Sequence, residues 1–402
     1  MVTHQPDGGE MTTAYINRIA TAVPPNDAHE GFIRLGATLL PDDQRVQNIF
    51  QRMCERSGIE HRYSFLKPNM ANGTVELDKS AFYSGATGHA CSKVKKFPGT
   101  AERMHVFKRH APELAAKAIG GLELGSDRRD ITHLLITCCT GFYAPGLDLE
   151  LIDRCGLPAS VERSIIGFMG CYAAINGLKL ARHIVRSDPA ARVLVVNLEL
   201  CTLHFKDPSN DVAQLVMSML WGDGCAASLV TSEPEGLAID SFRSMVIPGT
   251  SDMMQWHIGD QGFDMVLSGD VPASIHRALR DHGSEFLEGA PTGKIDLWAI
   301  HPGGRTILDA VEQSFGLAPE ALAISRQILK RYGNMSAATV MFVLQSMMHG
   351  VDRGARGCAM AFGPGLTAET MLFRTGALGP VGGTRRTTGE TARLGHDHEF
   401  AA

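Results

Sequence analysis

At 402 residues the chain exceeds what one hydrophobic core usually organises, so two domains or a duplicated fold are expected. A hydrophobic fraction of 44%, a charged fraction of 20% and a net charge of −5 fit a soluble globular protein and give no support to nucleic-acid binding. No apolar run approaches the roughly 20 residues of a membrane span, and the polar opening Met1-Val-Thr-His-Gln-Pro-Asp is not a signal peptide. The nine cysteines are odd in number, irregularly spaced and lack any CxxC pair. They read as reduced thiols of a cytoplasmic enzyme, without a metal site.

Residues 1–10 read as a flexible leader. Tyr15 to Val23 reads as a strand ended by Pro24-Pro25, and Val46 to Ser57 as a helix carrying Arg52 and Arg56. Residues 64–96 are polar and weakly periodic, which suggests a long loop or lid. Glu102 to Ile119 has helical periodicity, with Pro112 an expected break. Thr132 to Cys138 is a buried strand, followed by the turn-rich Cys139-Thr-Gly-Phe-Tyr-Ala-Pro-Gly146.

The stretch that organises the chain comes next. Ile165 to Met169 reads as a buried strand end, and Gly167 and Gly170 permit a sharp turn. Cys171 then opens a helix with Ala174, Leu178 and Ala181 on one face. A helix N-terminus favours an anion, and the thiolate is the nucleophilic form of cysteine. The competing reading of Cys171 is an inert core thiol. Strands at Arg192 to Leu200 and Cys225 to Thr231 complete this half.

The second half repeats the order. Leu297 to Ile300 is a buried strand ended by His301-Pro-Gly-Gly304, and helices follow at Ile307 to Phe315 and Leu322 to Tyr332. Gly333-Asn334 then opens an Ala-containing apolar helix, as Gly170-Cys171 does, and a strand follows at Cys358 to Phe362. This repetition predicts two duplicated βαβ halves, residues 11–235 and 236–376, ahead of a disordered tail at 377–402.

In such sheets functional residues gather at strand carboxyl ends and helix starts. Cys171, His301 and Asn334 all fall there. Alone, His301 could be a satisfied strand-end histidine and Asn334 a simple N-cap. Together, cysteine and histidine make an activated nucleophile, while histidine and asparagine offer N–H donors to an oxyanion or enolate. Papain-like proteases use the same trio, but near a mature N-terminus and not after a long α/β segment. The other chemistry is carbon–carbon bond formation. Cysteine would hold an acyl thioester while the donors stabilise the enolate left when a malonyl thioester loses CO₂.

Specific motifs carry a resemblance. They are Val193-Leu-Val-Val-Asn-Leu-Glu199, Phe205-Lys-Asp-Pro-Ser209, Trp221-Gly-Asp-Gly224, Ile300-His-Pro-Gly-Gly304, Tyr332-Gly-Asn-Met-Ser336 and Gly363-Pro-Gly365. With Cys171 they resemble, in order and spacing, the type III polyketide synthases of the chalcone synthase-like superfamily. The resemblance spans about residues 12–375 and is closest to bacterial-type members.

It implies an α/β thiolase-like fold in layered αβαβα order, a catalytic trio of Cys171, His301 and Asn334, and a homodimer. The enzyme would load an acyl-CoA starter, extend it with malonyl-CoA and cyclise the product to a pyrone or phenolic ring, alkylpyrone and alkylresorcinol included. No cofactor, metal or carrier protein is implied. A β-ketoacyl carrier-protein synthase of the initiating type is the alternative on the same fold. It would need a basic docking surface, which the charge of −5 does not favour.

By resemblance, the cavity is lined by Trp221, Met265, Cys139, Cys201, His204, Ser336, Gly363 and Pro364. CoA would meet Arg52, Arg56 and Thr306. Arg52 and Arg56 also fit a merely solvated helix face, and Trp221 a core residue. Two departures from plant members stand out. Ile49 replaces a CoA-binding cation, and Ala144 replaces a methionine that reaches into the partner's cavity. Cys201 resembles alkylpyrone-forming members and suggests a medium or long fatty acyl starter, whereas His204 would narrow the same cavity.

Overall fold

The computed structural model describes residues 12–71, 73–85, 96–207, 212–348 and 353–376. The expected leader at 1–10 and tail at 377–402 lie outside these residues.

One nine-stranded sheet runs through the molecule. Its order is Leu297–Ile300, Arg356–Gly363, Thr367–Thr375, Leu237–Val246, Ala14–Ala22, Asp223–Thr231, Val193–Leu200, His133–Cys138, Glu162–Gly167. Each half has parallel pairing at its outer end and antiparallel pairing toward the junction. His133–Cys138 runs parallel to both neighbours, and Leu297–Ile300 runs parallel to Arg356–Gly363. The halves join where Ala14–Ala22 pairs with Leu237–Val246.

Two helices, Ala173–Ser187 and Ala337–Met348, lie between the halves and touch strands of both. Both open on a pair of alanines, and Ala337–Met348 is buried almost throughout, as a helix enclosed on all sides must be. The outer layers are Thr100–Gly120 against the first half, and Val271–Phe286 with Arg305–Phe315 against the second. The result is the layered αβαβα thiolase-like arrangement, with a central core around the two inner helices and one outer core on each flank.

Three local expectations need correction. The strand Glu162–Gly167 is the sheet edge and largely exposed, with Ile165 47% accessible, so it is not a buried strand end. Pro112 does not break Thr100–Gly120. An interior proline costs about 3 kcal/mol, but the helix buries Val106, Phe107, Leu114, Ala118 and Ile119 against the core, and this burial outweighs the loss. The supposed loop at 64–96 contains a three-stranded sheet, Lys67–Asn69, Thr74–Leu77 and Ser80–Ser84. Its strands are too short to display a period. Its second hairpin turns on Asp78 and Lys79, both at positive φ, a turn usually advertised by Asn-Gly or Asp-Gly.

Candidate active site

Cys171 stands where the edge strand gives way to the inner helix. Phe168 (φ 55°) and Gly170 (φ 72°) take left-handed conformations, and a one-turn 3₁₀ helix, Gly170–Tyr172, leads into Ala173–Ser187. A Cβ on Gly170 would meet Pro364 at 2.4 Å, so only glycine allows the Pro364 turn to close on this loop. Cys171 is thus presented by the turn just before the helix, not by the helix itself.

Asn334 occupies the matching place in the second half. Its Nδ2 donates to the Gly303 carbonyl at 3.0 Å, and its Oδ1 accepts from the Ser336 amide at 2.8 Å. Its backbone is pinned as well: its N–H donates to Leu220 O at 2.8 Å, and its carbonyl accepts from Gly222 N–H at 3.0 Å. These bonds form an isolated parallel bridge between Trp221 and Asn334.

Burial pushes the Cys171 thiol up to about 12. The nearby Ser336 and Asn334 side chains act against that shift, while Glu199 adds to it. Cys171 and Ser336 both line the cavity, and Asn334 is tied to Ser336 by its side-chain bond to the Ser336 amide. Burial outweighs the helix start, so the thiol rests neutral.

His301 sits at the end of Leu297–Ile300. Its backbone N–H donates to Met360 O at 2.8 Å, and its ring lies about 3.5 Å from a Cβ position on Gly303, the residue whose carbonyl holds Asn334. Both ring nitrogens are buried without a hydrogen-bond partner among the described residues, and burial holds the imidazole neutral, down to about 3. Leaving buried polar atoms unpaired typically costs ~1–3 kcal/mol each. Such atoms in a native fold call for a functional explanation.

Beside Cys171 opens a cavity of about 800 Å³, its mouth included. Cys139, Cys201, His204, Trp221, Met265, Ser336 and Pro364 all line it, as the sequence led one to expect. Gly363 lies behind the lining; its Cα hydrogen faces the Tyr172 ring, where a Cβ would come within 2.7 Å. His301 and Asn334 are not among the lining residues. Arg52, Arg56 and Thr306 are exposed and do not line the cavity.

Sequence reading missed most of the far wall. The hairpin Met254–Gly259 and Gly262–Leu267 turns one face inward, presenting Met254, Trp256, Phe263 and Met265. The Trp256 indole N–H donates to Cys139 O at 2.8 Å. His204 stacks on Phe263 at 4.2 Å, donates from Nε2 to Thr140 O at 2.7 Å and accepts at Nδ1 from Phe263 N–H at 2.9 Å. With both nitrogens used and burial pushing it down to about 3, His204 is a neutral structural wall. Alternation of large apolar residues at 254, 256, 263 and 265 was the available signal.

Glu199 was also missed as a site residue. It is the penultimate residue of the buried strand Val193–Leu200. Its Oε2 accepts from Cys139 N–H at 3.0 Å and Thr140 Oγ1 at 2.8 Å, while Oε1 is buried and unpaired. Burial raises it to about 7.

Two halves that deliver their polar residues to the starts of paired inner helices, beside one apolar cavity, define a thiolase-fold acyl-transfer enzyme. Comparison with known proteins narrows this. The family description "Chalcone and stilbene synthases, N-terminal domain" matches residues 11–234, and its C-terminal counterpart matches 238–376. The chain belongs to this family and is a type III polyketide synthase.

It is 37% identical over 290 residues to an α-pyrone synthesis polyketide synthase-like protein of Mycobacterium tuberculosis, covering 68% of this chain and 72% of that one. It is 32% identical over 385 residues to bisdemethoxycurcumin synthase of Oryza sativa subsp. japonica, covering 90% and 92%. Among solved structures, a polyketide synthase of the brown alga Ectocarpus siliculosus aligns with a TM-score of 0.80 at 29% identity, covering 92% of this chain and all of that one. The 1,3,6,8-tetrahydroxynaphthalene synthase of Streptomyces coelicolor A3(2) aligns at 0.77 and 27%, covering 90% and 99%. Members of the family are decarboxylating condensing acyltransferases. They work on acyl-CoA and malonyl-CoA without a carrier protein.

Proposed function

We propose that Cys171 carries the growing acyl chain, that His301 takes its proton, and that His301 and Asn334 hold the malonyl thioester carbonyl. The observation behind this reading is that Cys171 and Ser336 line one cavity while Asn334 accepts from the Ser336 amide beside them. Burial keeps both the thiol and the imidazole neutral when each is considered alone. Moving the proton from sulfur to imidazole leaves the net charge unchanged, so one dipole replaces two separate charging steps. The unpaired imidazole nitrogens supply the acceptor. The thiolate then attacks the starter thioester, forming acyl-Cys171 and releasing the CoA thiol. Malonyl-CoA loses CO₂, and the resulting enolate, held by the N–H donors, attacks the acyl-cysteine.

The product is proposed to be a pyrone or phenolic ring, consistent with the α-pyrone and curcuminoid names of two relatives. The wall of His204, Trp256 and Phe263 closes the cavity with three rings in mutual contact. This favours a compact starter over the long fatty acyl chain that Cys201 suggested. Exposed Arg52, Arg56 and Thr306 are proposed to meet CoA outside the cavity.

A homodimer in the cytoplasm completes the proposal. No helix among the described residues is long and apolar enough to cross a membrane. Phe142, Leu149 and Ile165 are exposed; Ile165 lies on the edge strand, and a Cβ on Gly167 of that strand would stand 2.9 Å from the Phe142 ring. An exposed strand edge with apolar neighbours invites a second chain. Light scattering should give a dimer, and Ile165→Lys a monomer. The test of function is mass spectrometry of products from malonyl-CoA with a panel of acyl-CoA starters. A ring product that retains the starter is expected; starter-independent output would contradict the reading.

A further inference from the structure

Arg62 is 1% exposed, yet its guanidinium forms no ion pair among the described residues. Nη1 donates to the carbonyls of Trp221 at 2.9 Å and Ser218 at 3.3 Å. Nε donates to His29 Nδ1 at 2.9 Å, and Nη2 reaches the His29 carbonyl at 3.4 Å. Asp27 and Asp223 act on it only through space, and burial lowers it to about 10. An uncompensated buried charge is expensive to keep, and an apolar residue of similar volume would often be the more stable choice.

What the guanidinium holds explains the expense. The loop from Ser218 to Gly222 presents Trp221 to the cavity and also forms the bridge to Asn334 through Leu220 O and Gly222 N–H. The Arg62 stem packs behind the same bridge. Gly333, at φ 67°, leaves so little room that a Cβ would stand 2.9 Å from Arg62 Cγ and 2.8 Å from Leu220 O. One side chain therefore clamps the loop on its Trp221 side and backs the turn on its Asn334 side. Only a planar fork can serve two loop carbonyls and His29 together; an ammonium cannot.

We propose that Arg62, which itself borders the cavity, is a positioning residue that sets Asn334 and Trp221 together, so that it governs malonyl decarboxylation and starter choice through these two residues. This rests on the condensing reading of the site. Loosening the clamp shifts Asn334, while Cys171 remains on its own turn in the other half. A misplacement of about 1 Å can cost on the order of 100-fold in rate.

The test uses Arg62→Lys and, separately, His29→Leu, which removes the far anchor of the guanidinium without approaching the cavity. Each protein is assayed for acyl-Cys171 formation from acyl-CoA and for CO₂ release from malonyl-CoA. The two rates are taken as a ratio on one sample, so loss of folded protein cancels. The expected result is a fall of at least tenfold in decarboxylation relative to acylation in Arg62→Lys, a smaller fall in His29→Leu, and a changed starter profile in both. If either variant fails to fold, the other decides. A ratio and starter profile equal to wild type would overturn the proposal and leave Arg62 a packing residue. Wild-type protein that forms no acyl-Cys171 would instead overturn the reading of the site.

Discussion

Cys171 and Asn334 stand at the starts of the two inner helices, yet the fold grips them differently. Asn334 is fixed at both ends of its amide and at both ends of its peptide unit. Cys171 is held by a strained turn, with the Ser336 and Asn334 side chains near enough to act against the burial of its thiol. The contrast matches the tasks. A nucleophile must change partners as it is acylated, extended and released. A donor to an enolate works best when it has nothing left to reorganise.

The largest effect should come from the half that carries the nucleophile. Cys171→Ala should abolish product formation, because no other thiol among the described residues occupies such a turn; residual polyketide at more than background level would break the comparison. Next is the braced half. Asn334→Ala should lose ~10²–10³ in malonyl decarboxylation while still accepting a starter, whereas His301→Ala should impair both steps. Equal losses in the two partial reactions of Asn334→Ala would show that the halves do not divide the work.

The cavity wall gives a smaller effect. His204→Gly removes a ring held at both nitrogens and stacked on Phe263, so longer starters or longer products should appear. Trp221→Ala should change the starter profile with little loss of melting temperature. Trp221 is only partly buried, whereas a fully buried aromatic would cost ~3–5 kcal/mol.

The smallest effect is electrostatic. Glu199 titrates at about 7 in the fold against about 4.5 in its usual range, so folding takes up a proton between those values. Stability is therefore highest below about pH 4.5 on this account and falls as pH rises through about 7, by up to roughly 3 kcal/mol. Asp223, raised to about 7, acts in the same direction. His29, His204 and His301, all held low, oppose it below their usual range. Glu199→Gln leaves those four in place, so the difference between variant and wild type isolates Glu199. Melting curves from pH 5 to pH 8 should show the variant losing less.

The trio was legible because each member sits at a boundary that sequence marks well: Gly-Cys before one helix, Gly-Asn before its counterpart, His-Pro-Gly-Gly after a buried strand. The duplication into two βαβ halves followed from the repeat of those boundaries, and the layered order from the family resemblance. Trp256 and Phe263 escaped notice because their hairpin is short and its outer face carries Gln255, His257 and Asp264, which dilute the apolar pattern. Arg62 was invisible for a different reason. A basic residue reads as surface, and only tertiary packing reveals carbonyls turned toward it. Ile165 misled in the opposite sense, since an apolar strand at a sheet edge has the same local pattern as a buried one.

The most direct test of the central claim is a pulse and chase on the intact enzyme. Wild-type protein is incubated with a labelled acyl-CoA, digested, and the acyl group located by peptide mass spectrometry; a second sample receives malonyl-CoA before digestion. The account predicts one acyl group, on the peptide containing Cys171, that is absent in Cys171→Ala and disappears on the chase as labelled product forms. Label on the peptides of Cys139 or Cys201, or label on Cys171 that malonyl-CoA cannot discharge, would contradict it.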